Sequence, residues 1–338
     1  MNRINEHAMT AVPLTAADAI EHQRRRLLRG YEYVTEFRLR HLGYRSPHDR
    51  QPPWRLAQRF LQYQFLTHYW ASPPSWRLLA RRWGGRRTLP DFCVIGPIKS
   101  GTSDLAVGLL LHPNVMVPLV KEFSVLDVHP ERWRICYPTE RQRERHAQRH
   151  GSALSPFVAP YLHSMELTYN LAKTCPNNRI VLTLREPASR VFSQWKWEVF
   201  LAGNGRAREL PFLATFRAYA EWALDVFPVC PMYTRCGFQP LQTSIYWKAV
   251  SYWIECFGRE NVLVLDVGDY FRDRDSFLRT VYEFVGLPHV PMRRFDRNVN
   301  ENPISVPPAD AETMAMLRRF FAPYNEELWN VISTRFDW

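Results

Sequence analysis

A lysine, a glycine and three hydroxyls fall in one stretch, Lys99-Ser100-Gly101-Thr102-Ser103, and these residue types suit the binding of an oxyanion. The lysine brings a point charge, the hydroxyls bring donors, and the glycine lets backbone N–H groups close on a ligand. A second set lies further along. Arg185 and Ser193, eight positions apart, offer a bidentate guanidinium fork and a hydroxyl, again groups that grip a phosphate. Between them, residues 121–127 read KEFSVLD and carry the carboxylates Glu122 and Asp127. Each set has a plainer reading. Lys99 fits an ordinary strand-to-helix turn, Arg185 an ion pair at a helix start, and Glu122 a loop carboxylate paired to Lys121.

The surrounding pattern supplies elements to position these groups. The apolar run Phe92 to Ile95 leads through Gly96-Pro97 into a helical spacing at Leu105, Leu109 and Leu110. That order of strand, loop and helix aims first-turn N–H groups and a helix dipole at an anion. A second run, Ile180 to Leu184, ends in Arg185-Glu186-Pro187 and a helical stretch with Arg190, Ser193, Trp195 and Trp197. A short run, Val115 to Val117, precedes Glu122. Residues 242–265 give an aromatic helix (Tyr246, Trp247, Tyr252, Trp253) and the strand Val262 to Leu265; the helix Phe277 to Val285 and Gly286-Leu287-Pro288 follow. Strands alternating with helices predict a three-layer α/β domain with a mainly parallel central sheet and a P-loop-like phosphate loop, its ligand at the carboxyl ends of the strands.

The order of the first motif differs from that of nucleoside-triphosphate hydrolases, where lysine follows the glycine as Gly-Lys-Ser/Thr. Lys99-Ser100-Gly101-Thr102 instead resembles the 5′-phosphosulfate loop of sulfotransferases that use 3′-phosphoadenosine 5′-phosphosulfate (PAPS). Strand, Arg185-Glu186-Pro187, helix and Ser193 resemble the 3′-phosphate site of the same family. The KEFSVLD segment is similar to the Lys/Arg-Glu-x-x-Phe segment of its glycan-sulfating branch, with Ser124 and Val125 where aromatics are common. The resemblance spans residues 91–338 and is nearest to the carbohydrate-sulfating branch, including N-acetylgalactosamine 4-sulfate 6-O-sulfotransferases. It implies that Lys99, Ser100, Gly101, Thr102, Ser103, Arg185 and Ser193 bind PAPS. Lys99 would also neutralise charge on the leaving phosphate, and Glu122 would take the acceptor proton, with Asp127 as its rival. No metal is implied, and the acceptor would be a carbohydrate or glycolipid. The family's late basic, glycine-containing loop has no counterpart; Asn298-Val299-Asn300-Glu301-Asn302-Pro303 stands near its place.

Composition bounds the rest. With 46% hydrophobic and 14% aromatic residues the chain is that of a globular protein, and it has no apolar run long enough for a transmembrane helix. Its N-terminus lacks the apolar core of a secretory signal, which leads to the expectation of a cytoplasmic enzyme of bacterial type, with a peripheral place at the inner face of the membrane as one option. The six cysteines are scattered, and Cys93 reads as a small buried core thiol. Charge is uneven. Residues 1–90 hold sixteen Arg, no Lys and six acids, nearly all of the net charge of +11. They read as a basic, aromatic-rich helical extension ahead of a catalytic domain at 91–338. Three uses are open to it: aromatics packed on the domain with Arg facing water, contact with an anionic membrane, or nucleic acid, the least expected. The arginines of 129–151 suit an acidic acceptor near the site or a solvated helix. Two other functions compete with sulfuryl transfer. A P-loop kinase or NTPase is suggested by Val262-Leu263-Val264-Leu265-Asp266, which looks like a Walker B strand, and a non-catalytic binding module by the basic extension.

Overall fold

The computed structural model describes residues 52–65, 69–70, 73–122, 130–203, 210–228, 233–234, 237–291 and 305–338, with isolated positions between 21 and 27. Four short strands form one sheet: β1 (Phe92–Ile95), β2 (Pro156–Ala159), β3 (Arg179–Leu184) and β4 (Val262–Asp266). Their order is β2-β1-β3-β4, and every pairing is parallel. β1 is buried along its whole length. Continuous apolar runs of this kind mark parallel strands covered on both faces, which is why β1 and β3 stand out in the sequence.

Alternation along β1 divides the core. Phe92 and Val94 pack with Leu105 and Leu109 of α3 (Thr102–Leu110) and with Tyr270 and Tyr282. Cys93 and Ile95 face the other way, onto Leu171 of α5 (Met165–Thr174) and Val250 and Trp253 of α8 (Trp247–Phe257). A third cluster joins α6 (Pro187–Ala202), α7 (Phe216–Asp225) and α10 (Ala311–Ile332) through Val191, Trp195, Phe216, Tyr219, Leu317 and Phe321. The anticipated three layers are therefore present. Tyr69 of the N-terminal region is buried in the first cluster, and Trp70 packs on it, its indole donating to the Leu27 carbonyl at 3.0 Å.

Of the two readings of the basic stretch 129–151, the structure shows the solvated helix. The stretch forms α4 (Glu140–His150), begun by a Thr139/Gln142 capping box and without a buried residue. Arg143 pairs with Asp91, just before β1, at 2.6 Å, and Asn114 donates to the His150 carbonyl at 2.6 Å. Asp91 lies at the amino end of its strand, whereas the loop 96–101 leaves the carboxyl end. The helix is thus solvated and lies on the edge of the sheet opposite the phosphate loop.

Candidate active site

The loop after β1 is built on close approach. A side chain at Gly96 would place its Cβ 2.1 Å from Ser100 Oγ and 2.7 Å from the Thr183 carbonyl, so only glycine fits. Gly101 caps α3 in the left-handed region (φ 79°), and no side chain caps the helix. Lys99 is left-handed too (φ 71°), a conformation that a residue with a Cβ adopts at some cost and that concentrates at functional sites. Two left-handed residues ahead of uncapped first-turn N–H groups curl the backbone into a concave array of donors, which suits an anion. The Lys99 ammonium stands 4.6 Å from the centre of the Trp197 ring on α6.

Ser100 behaves differently from the sequence expectation. Its side chain is fully buried, its hydroxyl donates to the Pro97 carbonyl at 2.9 Å, and it lies 3.4 Å from Thr183 Oγ1. Its N–H also bonds the Pro97 carbonyl. Ser100 therefore folds the loop rather than lining it. Thr102 is buried and Ser103 half-buried in the first turn of α3.

Parallel pairing of β1 with β3 sets the second motif beside the first. Arg185 follows the last residue of β3, and its guanidinium donates to the Lys99 carbonyl at 3.3 Å. The two motifs, far apart in sequence, therefore meet. Burial draws the Arg185 pKa down, opposed by Tyr246, Glu186 and Asp266. Tyr246 also donates its hydroxyl to the Arg185 carbonyl at 2.9 Å. Glu186 caps α6 by accepting from the N–H groups of Ala188 and Ser189, with Pro187 in the first helical turn. Ser193 is buried in the second turn of that helix.

Sequence reading missed the residue that locks this arrangement. Arg190 is completely buried. It donates to the Ile98 carbonyl at 3.0 Å, the Pro240 carbonyl at 2.6 Å, Ser244 Oγ at 2.6 Å and Thr243 Oγ1 at 2.9 Å. One guanidinium thus ties the loop 96–101 and the 239–244 turn to α6. The signal was available: an arginine set among Ala188, Val191 and Phe192 inside a helix. Two titratable groups lie nearby. His163, held by the Thr243 carbonyl at 3.1 Å, is drawn by burial to about 4 and stays neutral. Glu198, accepting from Gln194 at 2.7 Å, is pushed by burial up to about 7. Arg190→Met is expected to lower unfolding stability by about 2–4 kcal/mol, because buried oxygens lose their donor. Urea unfolding measures this, and an unchanged midpoint would mean that these bonds contribute nothing.

Glu122 is held by a different set of contacts, none of which among the described residues joins it to the loop 96–101 or to Arg185. The run Val115 to Val117 forms no strand; Val115 makes one parallel bridge to Leu154, ahead of β2. The chain continues with Leu119 N–H on the Cys136 carbonyl (2.8 Å) and Lys121 N–H on the Tyr69 carbonyl (2.7 Å). Buried Lys121 pairs with the carboxylate of Glu122, which is itself exposed. Tyr69 has its hydroxyl buried with no hydrogen-bond partner, and its pKa is raised by burial and by the charge of Glu122. The N-terminal region thus reaches the surroundings of Glu122. Asp127 and the stretch Asn298 to Pro303 lie outside the described residues.

Asp266, which suggested a Walker B strand, has another use. It ends β4 and caps α9 (Val267–Arg272), accepting the Gly268 N–H at 2.9 Å. Its second oxygen accepts the Trp338 indole N–H at 2.9 Å.

Comparison with known proteins agrees with this geometry. Residues 89–302 match the sulfotransferase domain family. Among curated proteins, the chain is 24% identical over 321 residues to the bifunctional heparan sulfate N-deacetylase/N-sulfotransferase 4 of Mus musculus, covering 82% of this chain and 34% of that protein. It is 22% identical to the membrane-associated sulfotransferase kil1 of Dictyostelium discoideum, over 74% of this chain and 66% of the other. Carbohydrate sulfotransferase 15 of Homo sapiens is also 22% identical, over 75% and 55%. The chain therefore spans between about a third and two thirds of the length of these relatives. A sulfotransferase from Alicyclobacillus acidocaldarius shares the fold, with TM-score 0.52, 22% identity, and coverage of 74% of this chain and 98% of that one. The chain belongs to the sulfotransferase family.

Proposed function

We propose that this member of the sulfotransferase family transfers a sulfuryl group from PAPS to a hydroxyl of a carbohydrate or glycolipid acceptor. The observation that carries the reading is the hydrogen bond from Arg185 to the Lys99 carbonyl, which joins the two phosphate-gripping motifs on neighbouring parallel strands. The residues present fit the nucleotide. The concave N–H array at Lys99, Gly101, Thr102 and Ser103 faces the 5′ end, and Arg185 with Ser193 holds the 3′-phosphate. Two relatives named for heparan sulfate or carbohydrate sulfation favour a carbohydrate acceptor.

PAPS supplies an activated sulfuryl group, and the chain's residues orient and neutralise charge. Lys99 balances the negative charge that builds on the bridging oxygen of the leaving phosphate, a stabilisation strongest in the transition state. Glu122 accepts the proton of the attacking hydroxyl as the new S–O bond forms and the phosphate leaves. Arg190 holds the loop that carries Lys99. Lysine, helix N–H groups and arginine supply the positive charge, so no metal enters this reading. The kinase or NTPase alternative loses its main support because Asp266 is engaged in capping and with Trp338.

Calorimetry tests the nucleotide assignment. The product, 3′-phosphoadenosine 5′-phosphate, is expected to bind far more tightly than AMP. Arg185→Ala should remove about 1.5–3 kcal/mol of that preference, the worth of a charged hydrogen bond. Equal affinity for the two nucleotides in the unmodified protein would refute the assignment.

A further inference from the structure

The segment 52–90 holds seven arginines and eight aromatic residues and not one aspartate or glutamate. Its helices are α1 (Pro53–Phe65) and α2 (Ser75–Ala80). At 100° per residue, Trp54, Leu61 and Phe65 fall within about 40° of one another on α1, and they stand 60%, 55% and 56% exposed. Trp76 and Leu79 of α2 are exposed as well. The two faces are continuous. The Phe65 and Trp76 rings are 5.5 Å apart, Trp76 donates to Gln64 Oε1 at 2.9 Å, and Arg77 donates to the Phe65 carbonyl at 3.2 Å.

The turn after α2 is held firmly. Arg81 donates to the carbonyls of Ile135 (2.6 Å) and Tyr137 (2.7 Å), and Arg87 to those of Arg81 (2.9 Å) and Tyr137 (2.8 Å). Between these anchors stand exposed Arg82 and Trp83, the latter 69% exposed, more than any other large hydrophobic residue described. Gly84 and Gly85, both with positive φ, let the chain turn behind it. A tryptophan displayed on a pinned turn, directly after two helices whose exposed apolar side chains meet at Phe65 and Trp76, adds to an apolar display of the kind that marks an interaction surface.

Charge identifies the partner. The segment brings arginines and no acids of its own, and one acid from outside it, Glu140 of α4, meets Arg86 at 3.1 Å; a face of this positive balance fits a negatively charged surface, and amphipathic aromatics among arginines sit at the boundary between lipid headgroups and acyl chains. A nucleic acid would use the arginines and the rings but has no place for Leu61 and Leu79. We infer that α1, α2 and the Trp83 turn form a docking face for an anionic lipid bilayer. No helix among the described residues is long and apolar enough to cross a membrane, so this contact is one of lying on the surface.

Flotation of the full chain with phosphatidylcholine vesicles, with and without phosphatidylserine, tests the inference. The protein should float with the anionic vesicles only, and less as salt rises. Arg82→Gln should weaken partitioning about 5-fold, as expected for one arginine at an anionic surface, and Trp83→Ala should weaken it too. Both variants should keep the nucleotide affinity of the unmodified protein, a readout independent of lipid that also shows them folded. No flotation, equal flotation on neutral vesicles, or variants that float unchanged would overturn the proposal. Displacement from vesicles by single-stranded RNA, with the RNA held through Trp83 and Arg82, would give the face to nucleic acid instead.

Discussion

Glu122→Gln is expected to cut sulfuryl transfer about 10²–10⁴-fold, the range for loss of a positioned general base. Binding of 3′-phosphoadenosine 5′-phosphate should stay close to that of the unmodified protein, because Arg185 and the loop are untouched. The amide keeps the shape of the carboxylate but cannot take a proton. It also leaves buried Lys121 without its ion-pair partner, so a thermal melt must accompany the assay to separate lost chemistry from lost fold. Single-turnover measurement with saturating PAPS isolates the chemical step. An active Glu122→Gln beside a dead Asp127→Asn would move the base to Asp127.

Lys99→Ala should lower turnover about 10²–10³-fold, a typical loss for one group that stabilises developing charge. The left-handed backbone at this position complicates the comparison, since alanine bears the same Cβ cost with no compensating contact. Lys99→Met keeps the length of the side chain and its packing on Trp197 while removing the charge, and it should be nearly as impaired. Both variants should retain the preference for the 3′-phosphorylated product over AMP, because the proposed function assigns that preference to Arg185. A Lys99→Met enzyme with ordinary turnover would show that the charge lies outside the reaction path.

The elements that carry the site could be read from the sequence where burial is two-sided. β1 spans the apolar run that announced it, and β3 extends its run by only Arg179, because a parallel strand covered on both faces must be apolar throughout. The Val115 run was too short to pair beyond one bridge, so it became an extended connection. Other features depend on contacts that spacing does not encode. Whether the Ser100 hydroxyl faces a ligand or the Pro97 carbonyl is decided by how tightly Gly96 turns. The acceptors of Arg190 come from two other segments, and its role is visible only once these converge. Asp266 has the sequence of a catalytic strand end but is engaged by a helix N-terminus and by an indole many residues away.

The strand order has a consequence for how the protein is made. Among the described strands β1 is the first synthesised but an interior one, with β2 on one side and β3 on the other. A ribosome must deliver the chain through Ala159 before β1 has one neighbour, and through Leu184 before it has both. Until then two apolar edges stay open to other nascent chains, a hazard of non-local pairing. Slower translation in the stretch between β1 and β3 should therefore increase aggregation, whereas slowing after Leu184 should not. A nascent chain stalled before Arg185 emerges has the whole of the first loop outside but lacks the guanidinium that bonds the Lys99 carbonyl.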